Sequence, residues 1–427
     1  MPPGPGRTPA GGPLPEGGLP ALRRRTTAVL VLSQILGGLG VATGIAPAAL
    51  LAEEVSGRAA LSGLAPTATV TGTALLSVPL AALMTARGRR PGLVLAYTIG
   101  ALGAAVVVIG AAVESFPLLL IGMAAFGAGS SANLQARFAA ADLAVPERRG
   151  RAISLVVWAT TFGAVLGPNL TAPAGRTVSG LGIPPEAGPF VWAAGVFLLA
   201  AVLVQSLMRP DPLITARALS PGDHTPGGRS LRAGIRAVGE SPMARLALIT
   251  LAVSHAAMVA IMSMTPLALS GHGADIELIG LVISGHIAGM YAFSPVMGWL
   301  ADRFGRLTVV GLAAGFLAAA ALFAGTAGPS HTRVALGLFL LGLGWSAGMV
   351  AGSALLTDSV PQPARAAAQG VSDLAMNTAA GVSGVLAGLI VARAGYDWLN
   401  LAGALLLLPM AALAVRRAVR GPGPGSP

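Results

Sequence analysis

About twelve times along this 427-residue chain an apolar stretch near or above twenty residues recurs, and that recurrence restricts what the chain can fold into. An α-helix rises 1.5 Å per residue, so about 20 apolar residues cross the ~30 Å hydrocarbon core of a bilayer. The stretches fall at 27–51, 61–85, 91–113, 117–141, 149–173 and 187–208, then at 243–270, 276–300, 307–328, 332–358, 364–392 and 396–416. An ordinary soluble domain has about a quarter of its residues charged. Here the charged share is 10% and the hydrophobic share 54%, which leaves too little polar surface to face water on every side. The reading is an all-α integral membrane protein whose first partner is the lipid bilayer.

The net charge of +11 is carried without a single lysine, so all 27 basic residues are Arg. They gather between the apolar stretches: Arg23 to Arg25, Arg87 to Arg90, Arg148 to Arg151, six between 209 and 245, and Arg416, Arg417 and Arg420. Counted over alternate connections, one side holds 22 Arg and the other four, Arg58, Arg176, Arg333 and Arg393, while Arg137 sits inside a helix. The positive-inside rule then predicts both termini in the cytoplasm and an even number of spans in a multi-pass protein. Aromatic residues make up 4%, too few for a base-stacking platform, so no nucleic-acid partner is expected. Cysteine is absent, which removes disulfides and thiolate metal sites. No phosphate-binding glycine loop, Ser-His-Asp arrangement or paired carboxylate site is present, so the chain is not expected to be an enzyme or to hold a resident cofactor.

The chain also repeats itself. Gly88-Arg89 matches Gly305-Arg306, and Asp142, Pro146 and Arg149 are echoed by Asp358, Pro361 and Arg365. This implies two six-helix bundles, 27–208 and 243–416, joined by a cytoplasmic linker at 209–242, with a substrate site between them. Residues 1–26 and 417–427 are expected to be disordered. The first of these is not read as a signal peptide, because its basic run comes last and the apolar segment after it is long enough to span. In the linker, Arg229, Arg232 and Arg236 fall on one helical face and Leu231, Ile235 and Val238 elsewhere, the pattern of a short helix on the inner membrane surface.

Gly298-Trp299-Leu300-Ala301-Asp302-Arg303-Phe304-Gly305-Arg306 resembles the loop motif between the eighth and ninth helices of the major facilitator superfamily. An Asp at a helix end can pair with Arg residues and latch one conformational state. In the first-half copy Thr85 stands where that Asp would be, before Gly88-Arg89-Arg90. Asp142 through Gly150-Arg151 resembles the superfamily's loop after helix four. The resemblance implies the superfamily fold, alternating access, and inner gating groups at Asp302, Arg303, Gly305, Arg306, Asp142 and Arg149. From their positions at the ends of the fourth and tenth helices, Arg137 with Asp142 and Asp358 with Arg365 are expected as inner gating pairs. Gly163-x-x-x-Gly167-Pro168 resembles the core of the antiporter motif of drug exporters, but Thr171 and Ala172 replace its next glycines. Met123 also stands where such exporters carry an Arg in helix four. Small residues four apart equally serve close helix packing.

Within the seventh and eighth stretches, Met258 and Met262, then His286 and Met290, are each spaced i, i+4 and so share a helix face. His255 lies on the Met258 face. With the two helices antiparallel and side by side, Met258, His286 and Met290 fall within about 3 Å of the midplane. Thioether and imidazole ligands favour Cu(I), whereas hard cations want carboxylates. The pair Met-x-x-x-Met and His-x-x-x-Met resembles the signature of the CcoA-like bacterial copper importers of the superfamily. That resemblance implies Met258, Met262, His286 and Met290 as copper-handling positions, with copper as transported substrate in a monomer of the bacterial cytoplasmic membrane. The alternative is a proton-coupled exporter of drugs or other small lipophilic solutes. Glu53 and Glu54 at the outer end of the first helix, and Asp373 within the eleventh, are candidates for a proton or cation relay. Asp373 is expected to pair with Arg365 or with the linker.

Overall fold

The computed structural model describes residues 18–58, 61–178, 180, 182–219, 231–410 and 412. Of the segments expected to be disordered, 1–17 and 417–427 lie outside the described residues, as do Arg229 and the C-terminal Arg cluster. Residues 18–26 differ from expectation: they already form the opening turns of the first helix.

Among the described residues the secondary structure is helical, without strands. The helices are α1 (Gly18–Ser56), α2 (Leu64–Arg87), α3 (Arg89–Ala112), α4 (Phe116–Asp142), α5 (Arg149–Thr177) and α6 (Gly188–Leu207). Two short linker helices follow, α7 (Pro212–Ala218) and α8 (Leu231–Glu240). Then come α9 (Pro242–Gly271), α10 (Ile276–Tyr291), α11 (Ser294–Phe304), α12 (Arg306–Gly325), α13 (His331–Ser359), α14 (Arg365–Ala394) and α15 (Tyr396–Leu406). Among the described residues, eleven spans are long and apolar enough to cross a membrane. The twelfth stretch, 396–416, begins as α15 and runs on beyond the described residues.

The eighth stretch is one span built from two helices. Pro295 brings no N–H to the ladder, so the helix breaks between Tyr291 and Ser294. The Tyr291 carbonyl accepts instead from Ser294 Oγ at 2.8 Å. Polarity is distributed as lipid demands. Leu102, Ile121, Leu281, Leu322 and Val385 are more than 60% exposed, while Arg89, Gln135 and Asp373 are fully buried.

The described helices form two compact units that differ from a plain cut into 27–208 and 243–416. Unit 1 takes the described residues within Met1–Val145, Ala159–Ala237 and Pro361–Leu374; unit 2 takes those within Pro146–Trp158, Val238–Val360 and Ala375–Pro427. The opening of α5 therefore belongs with the second unit, and the opening of α14 with the first. In unit 1, α3 and α4 touch through Gly103 and Gly122, where a Cβ would overlap the backbone of the facing helix. Phe126 packs edge-on against Phe190 at 5.5 Å beside them. In unit 2, α13 is the central helix, with α9, α10 and α12 packed against it.

The linker helix α8 carries its polar and apolar residues on different faces. Leu231, Arg232, Ile235 and Arg236 are exposed, whereas Gly234 and Val238 are buried, Gly234 directly against the Ala367 and Ala368 backbone of α14.

Candidate functional site

The predicted Met/His residues all lie in unit 2, on α9 and α10. One feature of their setting differs from expectation: the two helices touch each other sparsely, and each packs chiefly on α13. The reason is steric. Gly342 of α13 has no side chain, so the α10 backbone at His286 and Met290 lies directly on it. A Cβ on Gly348 would likewise overlap Ser254 of α9.

His286 is fully buried, and its Nδ1 lies 2.8 Å from the Leu338 carbonyl oxygen of α13. A carbonyl only accepts, so Nδ1 is the donor, and in the neutral ring Nε2 carries a bare lone pair. That Nε2 is buried with no hydrogen-bond partner. Met290, one turn further along α10, is buried, as is Met258 of α9, while Met262 is half-buried. His255 is half-buried and accepts from Trp345 Nε1 at 2.8 Å. Trp345 in turn meets Tyr291 edge-on, with ring centroids 5.4 Å apart. Leu338 and Trp345 are seven residues apart, so the positions of α13 that His286 and His255 engage are about 10 Å apart along its axis. Among the described residues no group of three or more His, Asp and Glu side chains gathers as a metal site.

The ionisable groups pair differently from the sequence reading. In unit 1, Asp142 is held by Arg89 and not by Arg137: Arg89 Nε and Nη2 donate to its two carboxylate oxygens at 2.7 and 3.2 Å. Asp373 accepts from Arg137 Nη2 and from Gln135 Nε2, both at 2.7 Å, in place of the expected Arg365 or linker. Gln135 ties the two pairs together, because its Oε1 accepts from Arg89 at 3.1 Å. Gln369 of α14 accepts from the same guanidinium at 2.5 Å. Two Arg and two Asp leave this buried network neutral, the condition under which charge is tolerated away from water.

In unit 2, Asp358 pairs with Arg149 and with Arg306, the latter at 3.3 Å, rather than with Arg365 as expected. Asp302 caps the start of α5, accepting from the Gly150 and Arg151 amides at 2.9 Å each, and also pairs with Arg306 at 2.7 Å. Arg303 is exposed. Thr85, which replaces the Asp in the first copy, donates to Ala81 O. Its own carbonyl accepts from Arg217 of α7 at 2.8 Å. Sequence reasoning missed this linker contact and the central role of Arg89, although Arg89 occupies the repeat position of Arg306.

Of the other candidates, Gly163 and Gly167 pack directly on α1, at Gly38 and Ala42. Pro168 lies within α5, with its side chain outside the described residues. Glu53 and Glu54 are exposed at the end of α1, and Glu54 is within hydrogen-bonding reach of Glu186.

This is the architecture of a multi-pass membrane protein with an ion pair at each of its repeated turns, buried in unit 1 and partly exposed in unit 2. The chain belongs to the Major Facilitator Superfamily, whose pattern matches residues 29–275 and again 247–427. It is 38% identical over 395 residues to the uncharacterized MFS-type transporter YdeG of Bacillus subtilis (strain 168), covering 91% of this chain and 92% of that one. It is 29% identical to the riboflavin transporter RfnT of Brucella anthropi, covering 91% and 94% of the two chains. Among solved structures, the transporter FucP in its outward conformation superimposes with a TM-score of 0.72 at 19% identity, over 91% of this chain and 98% of that one. The protein is thus a transporter of small molecules across a membrane.

Proposed function

We propose that this transporter imports Cu(I) across a bacterial cytoplasmic membrane, with both termini in the cytoplasm. The observation that carries the reading is His286, whose buried Nε2 lone pair has no protein partner while Nδ1–H is anchored to Leu338 O. A metal-binding imidazole is ordinarily oriented in this way, by a hydrogen bond from its other nitrogen. Met290 on the same face of α10, and Met258 and Met262 on α9, supply soft thioethers for a monovalent soft cation. Met262, the most outward and least buried of the α9 pair, receives the ion; Met258, His286 and Met290 carry it inward. An inside-negative potential contributes about 2.3 kcal/mol per charge per 100 mV, so import needs no proton partner. The resemblance to the CcoA-like importers supports the same four residues.

The test is radiolabelled copper uptake under reducing conditions by cells expressing the chain or a Met258→Leu/His286→Ala variant. Uptake by the wild type, abolished in the variant at equal membrane levels, is the expected result. Equal uptake by both would leave the Met/His stripe as packing.

A second reading, transport of a small organic solute, is favoured by the His255–Trp345–Tyr291 cluster on the same three helices. Its rings, edge-on and tilted to one another, suit a planar conjugated compound, and the riboflavin transporter named above is a relative. Proton-coupled export, the alternative raised by Gly163, Gly167 and Pro168, draws less support, since both glycines pack against α1. Substrate-dependent proton flux in liposomes would revive it.

A further inference from the structure

The linker helix α8, Leu231–Glu240, has three distinct faces. At about 100° per residue, Gly234 and Val238 fall together, and both are buried. Leu231 and Ile235 lie about 60° round from that face, and Arg232 and Arg236 about 160° round. These four side chains are exposed, Ile235 by 53%. Neither Arg232 nor Arg236 has a hydrogen bond or ion pair to the protein among the described residues, and Glu240, one turn beyond Arg236, does not pair with it. Arg217 of the preceding helix α7, by contrast, is held by the Thr85 carbonyl.

The buried face rests on α14, within unit 1. A Cβ at Gly234 would lie 2.7 Å from the Ala367 carbonyl and 3.0 Å from the Ala368 amide nitrogen, so the two backbones touch. Ala367 and Ala368 stand near the start of the apolar stretch 364–392, about 5 Å along the helix from its polar end. A helix held at that depth lies where headgroups meet acyl chains, the level at which amphipathic helices settle. Leu231 and Ile235 then face the acyl edge, while the Arg stems carry their guanidinium groups out to the headgroups. The same stretch of α14 is tied to the ion-pair network: Gln369 accepts from Arg89, and Asp373 accepts from Arg137 and Gln135.

We propose that α8 binds anionic phospholipid through Arg232 and Arg236, and that the bound lipid steadies the opening of α14 and the polar bonds made there. Charge selects the partner. Two unpaired guanidinium groups one turn apart, about 6 Å between their Cβ atoms, can both reach the phosphates of neighbouring headgroups. A zwitterionic lipid carries its own ammonium beside the phosphate, whereas an anionic surface attracts each Arg held near it. The apolar pair on the adjoining face restricts the occupant to a lipid, because a free phosphate would leave Leu231 and Ile235 in water. The proposal does not depend on which solute the protein carries.

The test follows amide hydrogen exchange of the full chain in nanodiscs of phosphatidylcholine alone and of phosphatidylcholine mixed with phosphatidylglycerol. Phosphatidylglycerol should slow exchange over 231–240 about tenfold, with a smaller slowing over 365–374. Arg232→Gln/Arg236→Gln should lose both effects. Arg24→Gln/Arg25→Gln, which removes an exposed Arg pair from the start of α1, should keep them. Equal exchange of the wild type in the two lipids, or the same slowing in the Arg232/Arg236 variant, would overturn the proposal. So would the same slowing when inorganic phosphate is added to the phosphatidylcholine discs, since the site would then take the free anion. Slowing over 231–240 with none over 365–374 would overturn the link to α14.

Discussion

The two repeated turns of this transporter have the same backbone and different chemistry. Gly88 and Gly305 both adopt φ in the left-handed region, +97° and +92°, and each hands the chain to an Arg that opens the next helix. Each Arg reaches the Asp that ends a helix of its own unit, Arg89 to Asp142 and Arg306 to Asp358. There the likeness stops. In unit 2, Asp302 binds Arg306 and caps α5; in unit 1, Thr85 has no carboxylate to offer. The linker fills the vacancy. Asp211 accepts from the Arg90 amide at 2.7 Å and caps α7 through the Leu213 and Ile214 amides, while Arg217 holds the Thr85 carbonyl. A Cβ at position 88 would collide with the Asp211 carboxylate. The repeat conserves geometry, and the carboxylate that serves it has moved to another segment of the chain.

The comparison breaks most readily at the two arginines. Arg89 is fully buried, so Arg89→Leu leaves the Asp142 carboxylate without its ion pair and the Gln135 Oε1 without its donor, and should cost about 3–5 kcal/mol, read as a fall in the midpoint of unfolding in detergent. Arg306→Leu should cost less, about 1–2 kcal/mol, because Asp358 keeps Arg149 and Asp302 keeps two backbone amides. Equal losses would mean that burial does not separate the two turns.

A smaller effect is expected from removing either cap. Asp302→Ala and Asp211→Ala should each cost about 0.5–2 kcal/mol, but hydrogen exchange should localise them differently. Protection should fall at Gly150 and Arg151 in the first variant, and at Arg90, Leu213 and Ile214 in the second. Faster exchange at the α5 start in the Asp211 variant would undo the idea that the two caps act separately.

The smallest effect sharpens the comparison. Thr85→Asp restores the missing carboxylate beside Arg217, and a double-mutant cycle with Arg217→Ala should give a coupling of about 0.5–1 kcal/mol. Additive effects would show that Arg217 recognises only the backbone of residue 85.

Much of the fold was legible in advance. Eleven of the twelve apolar stretches became spans among the described residues, and the Gly-Arg repeat became two matching turns. Even the break between α10 and α11 has its sequence sign in Pro295, although the apolar count alone made one continuous helix of it. Ion-pair partners were not legible: Asp142 was matched with Arg137, and Asp373 with Arg365 or the linker, because nearness in sequence stood in for nearness in space. The Met/His residues were found by their helical spacing, yet α13 as the platform beneath them was not, since its glycines carry no chemistry to notice.

Taken alone, the sequence determined that this chain is helical, spans a membrane many times and repeats itself, because hydrocarbon thickness and backbone hydrogen bonding leave an apolar stretch of that length one way to cross. The tertiary structure alone decided which charges neutralise one another and which imidazole nitrogen is left bare. Those outcomes depend on which helices touch, at what depth and with which face. Where two helices meet at Gly289 and Gly342, the missing side chains set that contact more than anything the neighbouring residues carry.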